Sequence, residues 1–281
     1  MRRGPGPAAQ GDGGGALHTR VLTSLMAVMG VQVLAAVPVI SMRRSDAWLR
    51  RVLPYVISVA VGVLLATGTV HLIPEAVATL GDRSALWLVL LLTMFVLYGF
   101  ERGFQVFSGV SAEPAPDVED AHERGLHAHH HHPSKPATLL LGSFTHSLVD
   151  GTGVAAAFAI SPQVGWVTAL AVGLHEVPHR LGDMALLVHM GIDRTRAALL
   201  AILAASSSLL GWSLVAVLGE HGSQQAAWLL PVSAGSFLYI SMVDLLPELQ
   251  YERRPMAVLA QILGLAAGIA LALGLTRIPG A

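Results

Sequence analysis

Two short stretches, His146-Ser147-Leu148-Val149-Asp150-Gly151 and His175-Glu176-Val177-Pro178-His179, set imidazoles and carboxylates in the middle of two consecutive apolar segments. Each segment is long enough to span a bilayer, and at that depth an Asp or His costs ~3 kcal/mol or more unless it is paired, metal-bound or facing water. Residues of this kind are therefore candidates for function. His146 and Asp150 are four positions apart, as are His175 and His179. At helical pitch each pair shares one face with its members about 6 Å apart, a spacing that suits two ligands of one ion. The chain has no cysteine, so a metal ion here is held by nitrogen and oxygen. Imidazoles with a carboxylate suit Zn²⁺, with Cd²⁺, Fe²⁺ and Mn²⁺ as further substrates of the same ligand set. A single buried histidine is ordinarily a hydrogen-bonded structural residue; four ligand types at matched spacing on adjacent helices point to a metal site.

The elements that position these groups are legible from composition. Of 281 residues, 53% are apolar and 12% charged, and the mean hydropathy is +0.62. That excludes an ordinary soluble protein and places the chain in a lipid bilayer. Eight nearly charge-free stretches of spanning length are expected near 21–42, 52–78, 84–108, 137–160, 163–190, 196–219, 226–249 and 256–277. The third is the weakest, since Glu101 and Arg102 interrupt it. Runs rich in Ala, Leu, Val and Gly without period-two alternation read as helices rather than barrel strands. The expected fold is all-α and polytopic with eight transmembrane helices. Its parts are a disordered Gly/Pro-rich tail (1–18), helices 1–3 (19–110), a His-rich loop (111–136), helices 4–5 with the metal site (137–190) and helices 6–8 (191–281). The tail lacks the apolar h-region of a cleavable signal. Loops one, three, five and seven carry ten of the basic residues between spans, from Arg43 to Arg254, whereas loops two, four and six carry only Arg83. Odd loops are then cytoplasmic and both termini extracytoplasmic.

A short link around Ser161 and Pro162 makes helices 4 and 5 antiparallel neighbours, so His146, Asp150, His175 and His179 can meet near the midplane, where transporters hold substrate. Pro178 has no N–H to offer the Leu174 carbonyl, and a bend is expected there. Gly142, Gly151, Gly153, Gly173 and Gly182 are expected to let these two helices approach closely. His71-Leu-Ile-Pro74-Glu75 in segment two matches Asp244-Leu-Leu-Pro247-Glu248 in segment seven, and the two run in opposite directions. This reads as the trace of an inverted repeat, with Glu75 toward one face and Asp244 and Glu248 toward the other as entry and exit stations. The loop histidines His127, His129, His130, His131 and His132 form a tract for loose metal capture. Read literally, His175-Glu-Val-Pro-His179 is also H-E-x-x-H, so an intramembrane zinc metalloprotease is the rival reading. A non-transporting metal sensor is the third.

These residues resemble the ZIP family of divalent metal transporters, and most of all its LIV-1 branch. The family's fourth helix carries His-Asn-x-x-Asp-Gly and its fifth His-Glu-x-Pro-His-Glu-x-Gly-Asp; here they read His146-Ser147-Leu-Val-Asp150-Gly151 and His175-Glu176-Val-Pro178-His179-Arg180-Leu-Gly182-Asp183. The resemblance implies a 3+2+3 arrangement of eight helices, a two-metal centre shared by helices 4 and 5, and ions moving into the cytoplasm. It makes the metal residues His146, Ser147, Asp150, His175, Glu176 and His179, with Arg180, Asp183, His71, Glu75, Asp244 and Glu248 around them or along the path. Two positions depart from the family: Ser147 replaces Asn and Arg180 replaces the second Glu. Arg180, four residues from Glu176, is expected either to pair with it and stand in for a second metal's charge, or to turn toward Asp183 or Asp244. The resulting expectation is a non-enzymatic zinc transporter in a bacterial inner membrane, with a divalent ion, lipid and a second copy of itself as partners. Neither an organic cofactor nor nucleic acid is expected.

Overall fold

The computed structural model describes residues 13–41, 46–107, 136–219, 227–250 and 252–275, and every regular element among them is helical. In chain order, α1 is Gly13–Ser41. α2 begins as Asp46–Ala66, passes through a π-helical segment, Thr67–Leu72, and continues as Ile73–Leu80. α3 is Ser84–Phe107, α4 Pro136–Ile160 and α5 Pro162–His189. α6 runs Arg194–Ala205 and resumes as Ser207–Gly219. α7 comprises Leu229–Tyr239, a second π-helical segment, Ile240–Leu245, and Leu246–Leu249; α8 is Pro255–Leu275. The His-rich loop lies outside the described residues.

Among the described residues, six stretches are long and apolar enough to cross a membrane: Thr19–Val37, Val52–Leu80, Ser84–Gly103, Arg194–Val217, Leu229–Leu249 and Pro255–Gly274. α4 and α5 are not among these six, although they are 25 and 28 residues long. The side chains that give them their chemistry, from His146 to Asp183, are what lower their hydropathy. Length and composition thus support six of the eight expected spans. One expectation is corrected. Helix α1 starts at Gly13, inside the segment read as disordered tail, because a nucleated helix extends backward at one hydrogen bond per residue. The third expected stretch, 84–108, is a helix that continues through its two charges, Glu101 and Arg102; the Tyr239 hydroxyl donates to Glu101 across 2.5 Å.

α4 and α5 are joined through the single residue Ser161, whose hydroxyl accepts from the Val164 N–H and caps α5, with Pro162 at its first position. This pair occupies the middle of the bundle: α1 packs on both, α6 on both, α2 on α5 and α7 on α4, while α3 lies outside on α7 and α8 outside on α2. Gly151, Gly153, Gly173 and Gly182 do not bring α4 to α5 as expected. A Cβ on Gly151 would sit 1.9 Å from the Ser208 carbonyl oxygen of α6, and one on Gly211 of α6 would sit 2.1 Å from the Leu148 carbonyl oxygen of α4. Gly153 faces Ser233 of α7, and Gly173 faces Leu34 of α1. A run of small residues marks a close contact without naming the neighbour.

Both proline pentapeptides have the same local structure. The Ile73 N–H reaches back to the Gly68 carbonyl and the Leu246 N–H to the Ser241 carbonyl, each five residues earlier. The next residue in each case is a proline, Pro74 or Pro247, which has no N–H to continue an α-helical ladder. A π-turn placed just before it shifts the hydrogen-bond register around the missing donor.

Candidate metal centre

Four side chains from facing turns of α4 and α5 converge. One ligand atom from each of His146, Asp150, His175 and Glu176 can be chosen so that all lie within 4.8 Å of one another, the only such group of three or more among the described residues. His175 Nε2 is 3.2 Å from His146 Nε2 and 3.1 Å from Asp150 Oδ2. His146 Nε2 is 3.4 Å from Asp150 Oδ2 and 3.8 Å from Glu176 Oε1. A tetrahedral ion bound at ~2.0–2.1 Å sets its ligand atoms about 3.3 Å apart, so the three separations among His146, Asp150 and His175 match zinc-sized coordination, while Glu176 lies farther out. The ring of His175 is oriented from behind: its Nδ1 lies 3.0 Å from the Ala171 carbonyl oxygen one turn earlier. A proton held there by that acceptor leaves the Nε2 lone pair facing the cluster, the outer hydrogen bond that metal-binding histidines ordinarily have. Phe237 of α7 closes the site, its ring centroid 6.2 Å from that of His175.

Asp150, His175 and Glu176 are buried, and the two imidazoles beside them are less so. The side chain of His146 is 15% exposed and that of His179 28%. These rings stack with centroids 4.3 Å apart. His179 does not join the four-atom group; its Nδ1 lies 3.4 Å from Asp183 Oδ2.

Arg180 is fully enclosed and makes both of the pairings weighed for it, with Glu176 and with Asp183. Its Nε and one terminal nitrogen donate to the two oxygens of Glu176, at 2.7 and 2.8 Å, while the other terminal nitrogen donates to Asp183 Oδ2 at 3.0 Å. The same terminal nitrogens also donate to the hydroxyls of Ser147 and Ser143. Ser143 donates in turn to Asp183 at 2.7 Å and Ser147 to Glu176 at 3.3 Å. The result is a closed network in which a buried guanidinium spans two carboxylates, the arrangement that makes such burial tolerable. Ser143 was missed in the sequence. It lies one turn before Ser147 on the face that also carries Asp150, and that stripe of polar residues was the available signal.

The remaining candidates stand apart from the cluster. His71 lies in the π-segment of α2, its Nε2 3.2 Å from the Ala272 carbonyl oxygen of α8. Glu75, Asp244 and Glu248 lie on α2 and α7, outside the four-residue group. His127 and His129–His132 fall outside the described residues.

A family model described as ZIP Zinc transporter matches residues 108–276. The human zinc transporter ZIP13 is 33% identical over 290 aligned residues, covering 89% of this chain and 78% of that protein. ZIP13 of Gallus gallus is 30% identical over 272 residues, covering 80% of this chain and 74% of the relative. Zinc transporter ZIP4 of Mus musculus is 37% identical over 146 residues, which cover 52% of this chain but only 22% of that longer protein.

Proposed function

The chain belongs to the ZIP zinc transporter family, in its LIV-1 branch, and from that premise we propose that it carries Zn²⁺ through a membrane into the cytoplasm by way of the α4–α5 centre. The observation that carries this reading is the convergence of two imidazole nitrogens and two carboxylate oxygens within 4.8 Å of one another, with His146, Asp150 and His175 at 3.1–3.4 Å, in the middle of the bundle. His146, Asp150 and His175 are the cargo ligands, and Glu176 Oε1, which accepts from both Arg180 and Ser147, completes the shell once the Ser147 hydroxyl turns away. Ser147 and Asp183 hold Arg180 in place. His179, stacked on His146 at the more exposed edge, is the first imidazole an ion meets on its way in or out. Imidazole-rich ligation favours zinc over manganese, with iron and cadmium as competitors.

All eight helices span, α4 and α5 included, because an apolar jacket of six surrounding helices relieves the central pair of contact with lipid. Both termini are extracytoplasmic by the charge bias of the loops. The matched π-turn and proline of α2 and α7 support an inverted 3+2+3 repeat, in which His71 and Glu75 line one approach and Asp244 and Glu248 the other. A bacterial inner membrane is the proposed location; the three relatives are animal proteins, and membrane fractionation tests the point. A second copy is the proposed neighbour, tested by cross-linking in membranes.

The protease reading is disfavoured by a specific contact. An H-E-x-x-H protease needs its glutamate free to activate water and both histidines on the metal. Here both oxygens of Glu176 are held by Arg180, and His179 lies against Asp183 instead. The deciding experiment is metal influx into liposomes holding the purified chain and a trapped indicator, comparing Zn²⁺, Cd²⁺, Fe²⁺ and Mn²⁺. Zinc entry that disappears in His175→Ala is the expected result. Stoichiometric zinc binding without entry of any ion would overturn transport and favour a sensor.

A further inference from the structure

Arg180 lies within the same polar cluster as the proposed cargo ligands, yet it offers no ligand atom. Its donors close on the carboxylates of Glu176 and Asp183, one turn to either side of it on α5, and on the hydroxyls of Ser143 and Ser147 on successive turns of α4. We infer that Arg180 is a resident cation: it fills the place beside the cargo site where a second divalent ion would find carboxylate ligands, and so limits this centre to one ion per chain. The inference rests on the reading of His146, Asp150 and His175 as cargo ligands.

Charge balance leads to the same count. Uncompensated charge in a buried site is strongly unfavourable. With carboxylates ionised and imidazoles neutral, as metal ligation requires, Asp150, Glu176 and Asp183 oppose the single charge of Arg180 and leave two negative charges. One divalent ion neutralises the centre. A second would leave two positive charges in a place from which water is largely excluded. With glutamate at position 180 there are four negative charges, which two divalent ions neutralise. The two departures from the resembled motifs are also in contact: the short side chain of Ser147 leaves room for the guanidinium and its hydroxyl accepts from it.

The test counts zinc. The full-length chain in detergent, with loop residues His122, His127 and His129–His132 replaced by serine so that they add nothing, is dialysed to equilibrium against ZnCl₂ and its metal content measured. One ion per chain is expected with Arg180 intact, none at the same free zinc in His175→Ala, one in Arg180→Lys and two in Arg180→Glu. The double variant Ser147→Asn/Arg180→Glu carries the same expectation of two and serves if the single variant fails to fold. Two ions bound beside an intact Arg180, or one ion in both glutamate variants, overturns the inference; if neither variant folds, the count with Arg180 intact decides alone. The count is read without transport, so failed influx would remove the transport reading and leave this one standing, whereas no zinc beside intact Arg180 would remove the metal centre and this inference with it.

Discussion

α4 and α5 carry ligand-type residues four apart, and so do α2 and α7: His71 with Glu75, and Asp244 with Glu248. In the central pair these residues converge on one point; in the flanking pair they do not. Spacing along one helix is the same in both cases, so it cannot be what makes a site. α4 and α5 face each other directly and remain α-helical through their polar turns. α2 and α7 pass into π-geometry at the same residues, and one extra residue in a turn rotates the next turn by about 100°. His71 consequently meets the Ala272 carbonyl of α8 rather than a second ligand. Convergence requires two uninterrupted helices with opposed polar faces, and only the central pair has them among the described residues.

The largest expected break in this contrast is Asp150→Asn, which removes a charged ligand while keeping its shape. Zinc affinity measured by competition with a chelating dye should fall by more than the ~10–100-fold typical of losing an outer hydrogen-bond partner; a smaller loss would mean that Asp150 is not a ligand. Glu176→Ala comes next, because it strips a buried guanidinium of its bidentate partner. Thermal unfolding in detergent should show a destabilisation of about 3 kcal/mol, the low end for a broken buried pair because Asp183 still holds Arg180. Adding Arg180→Met should recover part of that loss, and strictly additive effects would contradict the pairing. Gly151→Ala drives a methyl into the α6 backbone and should cost roughly 1–3 kcal/mol by the same measurement. His71→Ala should be the mildest at the centre, lowering zinc influx while leaving the affinity within about twofold, a change of under ~0.5 kcal/mol on the affinity scale. A large loss of affinity there would place His71 in the site and dissolve the contrast.

Much of this was legible beforehand, for reasons that differ by residue. His146, Asp150 and His175 announce themselves because polarity in the middle of a long apolar segment is rare and their spacing is helical. Arg180 was half legible: its distance from Glu176 and its distance from Asp183 are both within one turn, and sequence gives no means to choose, whereas a five-donor guanidinium takes both. His179 was expected among the ligands by its spacing from His175, but its Nδ1 lies beside Asp183, one turn onward, and its ring stacks on His146 outside the four-atom group. The π-segments were not legible. A proline tells that an N–H is missing and says nothing of how the preceding turn accommodates it. The glycines showed where backbones crowd, and left open which helix would fill the space.

Those crowded backbones have a mechanical consequence. Where Gly151 meets Ser208 and Gly211 meets Leu148, no layer of side chains separates α4 from α6, and the same holds for α2 and α8 at Gly62 against Leu265 and Gly268 against Val59. Side chains can repack as surfaces slide; backbone pressed on backbone cannot. Each clasped pair is expected to move as one block, α4 with its half of the polar centre going with α6. Any displacement that carries an ion from one face of the membrane to the other must be taken up along seams lined by side chains, between the blocks rather than within them.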